Sequence, residues 1–126
     1  MRILKFLVCD DSKLMRMKMS EILKKLENED TKVEVYEAPD GQTAVQLYKE
    51  IKPSVVFLDI TMPVKNGLEA LEEIIKFDNE AKVIMASSAG TKEHLKKAID
   101  IGASDFIQKP IEEDKLIPIL NRILGL

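Results

Sequence analysis

Apolar runs of strand length alternate with helix-spaced apolar patterns five times along the chain, which predicts a parallel sheet covered by helices on both faces. The first run is Leu4 to Cys9, followed by Asp10-Asp11-Ser12. Ser12 can cap a helix whose stripe, spaced by three and four, is Met15, Met19, Ile22, Leu23 and Leu26; Met17 is out of phase with it. A polar loop, Glu27 to Thr31, leads to a second strand, Val33 to Tyr36, whose alternating apolar and charged residues suit a half-exposed edge. Pro39-Asp40-Gly41 then turns the chain into a helix carrying Ala44, Val45, Leu47, Tyr48 and Ile51, which ends before Pro53.

The third run, Val55 to Leu58 with Asp59 at its end, is apolar throughout and reads as a strand buried on both faces, the kind found at the centre of a parallel sheet. A helix from about Leu68 to Phe77 follows, with Leu68, Leu71, Ile74 and Ile75 inward. The fourth strand, Val83 to Ala86, finishes in Ser87-Ser88-Ala89-Gly90, and Thr91 can cap a fourth helix that stops at Gly102. Asp105 to Gln108 forms the fifth strand, ending in Lys109-Pro110, and the last helix carries Leu116, Ile117, Ile119, Leu120 and Ile123. Pro118 falls inside that last pattern and predicts a missing internal hydrogen bond or a late helix start.

Length and charge narrow the picture. At 126 residues the chain has room for one domain and one core, and it shows no internal repeat. Apolar residues at 45% and charged residues at 33% describe a soluble globular protein. No run nears the roughly 18 apolar residues of a membrane span, and no signal-peptide core precedes the first strand, so a cytoplasmic location without membrane insertion is expected. Cys9 lies in an apolar run and is expected to be a small buried hydrophobe without a redox role. A net charge of −3 argues against nucleic acid and for a protein partner; the chain itself is expected to be a monomer.

The candidate chemistry lies where the strands end. Asp10 and Asp11 follow the first strand, Asp59 the third, Ser87 or Ser88 the fourth and Lys109 the fifth. Singly, each has an ordinary use as a cap, a turn residue or a solvated charge. Together they fall at the strand ends where open α/β sheets hold their ligands. In a doubly wound sheet of order 2-1-3-4-5, adopted here from known folds rather than read from the residues, strands one and three are neighbours and Asp10, Asp11 and Asp59 converge. Two carboxylates about 4 Å apart repel by roughly 4 kcal/mol at an effective dielectric near 20. Three need a raised pKa or a cation. An all-oxygen site suits Mg²⁺, and Lys109 adds a second positive charge. A carboxylate flanked in this way is arranged to accept a phosphoryl group, aspartyl phosphate being an established type of covalent intermediate.

Asp10-Asp11-Ser12, Asp59-Ile60-Thr61-Met62-Pro63 with Asn66-Gly67, Ser87, and Lys109-Pro110 resemble the receiver domain of two-component response regulators. The similarity runs the whole length, and within the family the chain looks like the stand-alone, CheY-like chemotaxis type. The resemblance implies a flavodoxin-like (βα)5 fold, a single receiver domain over residues 1–126 and no output domain. It implies that Asp59 accepts phosphate from a phosphohistidine on a sensor histidine kinase. It further implies that Asp10, Asp11, Asp59 and the Thr61 carbonyl bind Mg²⁺, and that Lys109 contacts the phosphoryl group. Ser87, rather than Ser88, fits the family's hydroxyl position, and the Lys109-Pro110 bond is commonly cis in the family. Phe106 stands at the aromatic switch position. Phosphorylation is then expected to draw in the Ser87 hydroxyl, let Phe106 turn inward and reshape the face of the fourth helix, fifth strand and fifth helix for a downstream protein, of flagellar motor type or a relay partner. The other expectation for Phe106 is plain core packing. The resemblance also implies that Thr61 and Ala89 are the small residues flanking the phosphoryl site. The chain is on this reading a phosphoacceptor that assists its own chemistry, not an enzyme.

Three rival functions share part of this pattern. A phosphorelay intermediate or phosphate sink would pass the phosphoryl group to a second histidine. A phosphatase with an aspartate nucleophile, of the haloacid dehalogenase type, shares the look of Asp59-Ile60-Thr61, but that motif normally follows the first strand. An FMN-binding flavodoxin needs a phosphate-accepting first loop, which Asp10-Asp11 would repel. His94, on the fourth helix pattern, is expected to be a surface residue.

Overall fold

Strands and helices alternate as the apolar pattern predicts: β1 (Arg2–Cys9), α1 (Lys13–Lys24), β2 (Thr31–Ala38), α2 (Gly41–Ile51), β3 (Val55–Asp59), α3 (Gly67–Phe77), β4 (Val83–Ser87), α4 (Lys92–Ile101), β5 (Asp105–Gln108) and α5 (Glu113–Leu124). The computed structural model describes residues 1–88 and 92–125, so the expected Thr91 cap and the flanking Ala89 lie outside the described residues. All four strand pairings are parallel, and the sheet runs β2-β1-β3-β4-β5. No helix among the described residues is long and apolar enough to cross a membrane.

Side chains alternate across the sheet, so β1 to β4 each feed two cores, while β5 at the edge feeds one. Leu7, Cys9, Val56, Leu58, Val83 and Met85 face α2, α3 and α4, meeting Tyr48, Leu71, Ile74 and Ala98. Phe6, Val8, Val55, Phe57, Ile84 and Ile107 face α1 and α5, meeting Met19, Leu23, Leu116 and Leu120. Every residue of β3 is buried, as expected of a central parallel strand. Cys9 is buried among these side chains, and burial, with Asp10 and Asp40 nearby, pushes its thiol pKa well up. It stays a thiol. Met17, out of phase with its helix stripe, is exposed.

Boundaries moved where pairing or capping extended an element. β1 and β2 pair residue for residue from Arg2↔Thr31 to Cys9↔Ala38, so both strands outrun their apolar centres. Leu26 lies past the end of α1 but still packs on the same core. α5 begins at Glu113 and runs through Pro118 without the late start that proline allowed. Pro118 and Asp114 are both exposed, so the helix carries the proline on its solvent-facing side.

The loop leaving β3 is fastened to α3 by a capping box. Asn66 accepts from the Glu69 N–H at 2.9 Å while Glu69 accepts from the Asn66 N–H at 3.2 Å. Asn66→Ala is expected to lower stability by about 1 kcal/mol, read as a shift of the urea midpoint at unchanged slope.

Candidate functional site

Register brings the acidic strand ends together. Cys9 pairs with Leu58, so the next residues, Asp10 and Asp59, leave the sheet side by side. Asp10 is anchored on its backbone by the Ala38 carbonyl, which accepts its N–H at 3.0 Å, and on its side chain by the Ser12 N–H, which donates to Oδ1 at 2.9 Å. Ser12 also caps α1, its hydroxyl accepting from the Met15 N–H. Asp59 is held by the Thr61 N–H donating to Oδ1 at 3.3 Å, and the following Ile60 N–H donates to Ala86 of β4.

Asp10, Asp11 and Asp59 each offer a carboxylate oxygen, and the three oxygens lie within 4.8 Å of one another. Lys109 comes in from the end of β5, its backbone N–H donating to the Ser87 carbonyl at 2.8 Å. Its Nζ bridges Asp10 Oδ2 at 2.5 Å and Asp59 Oδ2 at 3.1 Å. The lysine was expected as a nearby positive charge; it is bonded to two of the three carboxylates. Three carboxylates and one ammonium sum to a formal −2, with Asp10, Asp59 and Lys109 mostly withdrawn from water and Asp11 exposed.

Burial raises the Asp59 pKa above its ordinary value; the Lys109 hydrogen bond and charge oppose that shift, the Asp10 charge adds to it, and the Thr61 N–H opposes it. For Lys109 burial works to lower the pKa, but hydrogen bonds and charge from Asp10 and Asp59 outweigh it, and the net shift is upward. The donor set is all oxygen and carries surplus negative charge, which fits a hard divalent cation such as Mg²⁺.

The remaining predicted residues sort by burial. Ser87 is buried at the end of β4, whereas Ser88 is exposed. Thr61 is exposed beside Asp59, and His94 is exposed on α4. The Lys109-Pro110 bond is cis. The core-packing expectation for Phe106 is not met: the side chain is 41% exposed. β5 is an edge strand whose buried residue is Ile107, so its neighbour points the other way, towards the α4 side. A cavity of about 80 Å³ lies there, lined by Ser87, Leu95, Phe106, Ile107 and Gln108. One further side chain, which no strand-end position singles out, also reaches this end of the sheet. Arg16 of α1 donates from Nη1 to the Asp10 carbonyl at 2.7 Å and from Nε to Glu37 at 2.9 Å. It lies six positions after Asp10, and spacing alone does not foretell where so long a side chain ends.

Residues 6–121 match the response regulator receiver domain. This chain belongs to that family. The receiver domain is 46% identical over 119 residues to Protein CcdB of Bacillus subtilis, covering 94% of this chain and 96% of the relative. It is 41% identical over 117 residues to Chemotaxis protein CheY of Thermotoga maritima, covering 93% and 94%. Among solved structures it is similar to the CheX-CheY-BeF3-Mg²⁺ complex from Borrelia burgdorferi, with a TM-score of 0.86 and 32% identity over 96% of this chain and 89% of that one. It is thus a CheY-like receiver domain. Its first loop presents carboxylates where a flavodoxin needs hydrogen-bond donors for a phosphate, and Asp59 ends the third strand, not the first as in the phosphatase motif.

Proposed function

We propose that this receiver domain accepts a phosphoryl group on Asp59 from a phosphohistidine of a sensor kinase, with Mg²⁺ held by Asp10, Asp11, Asp59 and the Thr61 carbonyl. The observation that carries the reading is three carboxylates within 4.8 Å beside an ammonium bonded to two of them. Bound there, Mg²⁺ supplies positive charge to the carboxylates and to the phosphoryl oxygens. An Asp59 oxygen forms the new O–P bond as the P–N bond of the donor breaks, and the imidazole leaves with the electron pair. Lys109 holds its ammonium where the phosphoryl oxygens arrive, neutralising charge without having to move far. The domain acts as a phosphoacceptor that assists its own reaction rather than as an enzyme turning over a separate substrate.

Buried Ser87 and outward Phe106 line one cavity, which supports a two-state output. The phosphoryl oxygens draw the Ser87 hydroxyl, Phe106 turns inward, and the α4-β5-α5 face changes shape for a downstream protein. CheY relatives support a chemotaxis output, with a flagellar motor protein as the kind of target, and the Borrelia relative was crystallised with a protein partner, CheX. The proposed location, with the kinase, is the cytoplasm.

Incubation with acetyl phosphate and Mg²⁺, read by intact mass, tests the acceptor. Wild type is expected to gain one phosphoryl mass that is acid-stable and base-labile, and to gain none in chelator. Asp59→Asn is expected to gain none. An adduct of equal yield in the Asn variant moves the acceptor elsewhere.

A further inference from the structure

The acidic site has a second layer on the α1 side. Asp10 makes four bonds: its N–H to the Ala38 carbonyl, its Oδ1 from the Ser12 N–H, its Oδ2 from Lys109, and its carbonyl from Arg16 Nη1 at 2.7 Å. The last of these is charge-assisted and ties a helix side chain to the backbone that carries Asp10 and Asp11. The Arg16 side chain is only 14% exposed, and its Nε is fixed by Glu37 of β2. Two of the guanidinium's donors are thus engaged at once, on groups from two different strands or their ends, a geometry that the single nitrogen of lysine does not reproduce.

From this geometry, and resting on the reading of the site as a Mg²⁺-dependent phosphoacceptor, we infer that Arg16 is a positioning residue for the metal ligands: it fixes the Asp10 main chain and so sets how tightly Asp10 and Asp11 hold the ion. Arg16 touches neither metal nor phosphoryl group. It acts through the loop. Groups that orient metal ligands from behind typically change affinity by about 10- to 100-fold when removed.

The test compares wild type, Arg16→Met, Arg16→Lys and Glu37→Gln by calorimetric titration with Mg²⁺ alone, and by the Mg²⁺ dependence of acetyl phosphate labelling. Arg16→Met keeps the apolar stem and loses both bonds; its Mg²⁺ Kd is expected to rise about tenfold, while its labelling rate at saturating Mg²⁺ stays within about twofold of wild type. Arg16→Lys should fall between the two and stands in should the methionine variant fail to fold. Glu37→Gln leaves the guanidinium on the Asp10 carbonyl, and since Glu37 is a part-exposed partner its Kd should change by less than about twofold. The inference is overturned if Arg16→Met melts earlier in chelator yet binds Mg²⁺ as wild type does, because Arg16 is then only a tie between α1 and β2. It is equally overturned if Glu37→Gln weakens Mg²⁺ as much as Arg16→Met. A wild-type chain that binds no Mg²⁺ is a separate result, which removes the functional reading first and the inference with it.

Discussion

Lys109→Met is expected to destabilise the metal-free protein near neutral pH by about 3 kcal/mol, the low end for a buried charge pair that loses one partner. The lysine Nζ is within 3.1 Å of carboxylates from two strand ends, and none of the three side chains is more than 13% exposed. Removing the ammonium takes the site from a formal −2 to −3. Methionine keeps most of the stem, so the loss is one of charge, not packing. The pH dependence gives it a signature. Asp59 already has its pKa raised by burial against the opposing pull of Lys109, so losing that pull raises it further. A carboxyl whose folded pKa lies above its unfolded one weakens the protein above the folded pKa, and the penalty fades as pH falls towards the unfolded value. Lys109 in the wild type has the complementary limb: its pKa is raised from 10.5, so its contribution is present below that value and is lost as pH rises through the folded pKa. The wild-type-minus-variant difference in urea midpoint should therefore peak near neutral and shrink at both extremes. A difference flat across pH assigns the loss to packing and removes the lysine from the electrostatics of the site.

The features legible in the residues were those that depend on periodicity or on a strand's end. Full burial of β3, the half-exposed β2 and the Ser12 cap follow from patterns two to four residues long. The order of the strands did not, because a parallel sheet's inner strands are all apolar and carry no mark of their neighbours. Once Cys9 is set against Leu58, the convergence of Asp10 and Asp59 follows with no further information. What spacing leaves open is the reach of long side chains and the direction of a ring. Lys109 crossing to two carboxylates, Arg16 turning back to the Asp10 carbonyl and Phe106 facing out each depend on contacts between segments distant in sequence or on a rotamer. The Pro39-Asp40-Gly41 turn also hides a cap of the same kind as Ser12, the Asp40 carboxylate accepting from the Thr43 N–H at 2.7 Å at the start of α2.

Gly67→Ala is expected to lower stability by about 3 kcal/mol, near the upper end for overpacking, and the thermal midpoint by roughly 10 °C. Alanine is the better helix former by about 1 kcal/mol, so helix propensity predicts the opposite sign at the first residue of α3. Space decides it. A Cβ built on Gly67 lies 2.1 Å from the Asp59 carbonyl oxygen and 2.8 Å from the Ile60 Cα, both backbone atoms that no rotamer change can move aside. Close contact is what the loop needs, since the Gly67 N–H donates to the Ile60 carbonyl at 2.8 Å and folds the segment after β3 back on itself. Relief requires shifting the backbone at Asp59, so the same substitution should weaken Mg²⁺ binding as well as the fold. Gly125→Ala is the control: its φ of 68° disfavours a side chain, but nothing lies within 4 Å, so conformation alone is at issue. There the loss should be about 1 kcal/mol with Mg²⁺ binding unchanged. Equal losses at the two glycines, or a Gly67 variant that binds Mg²⁺ normally, separate the β3-α3 turn from the placement of the acidic cluster.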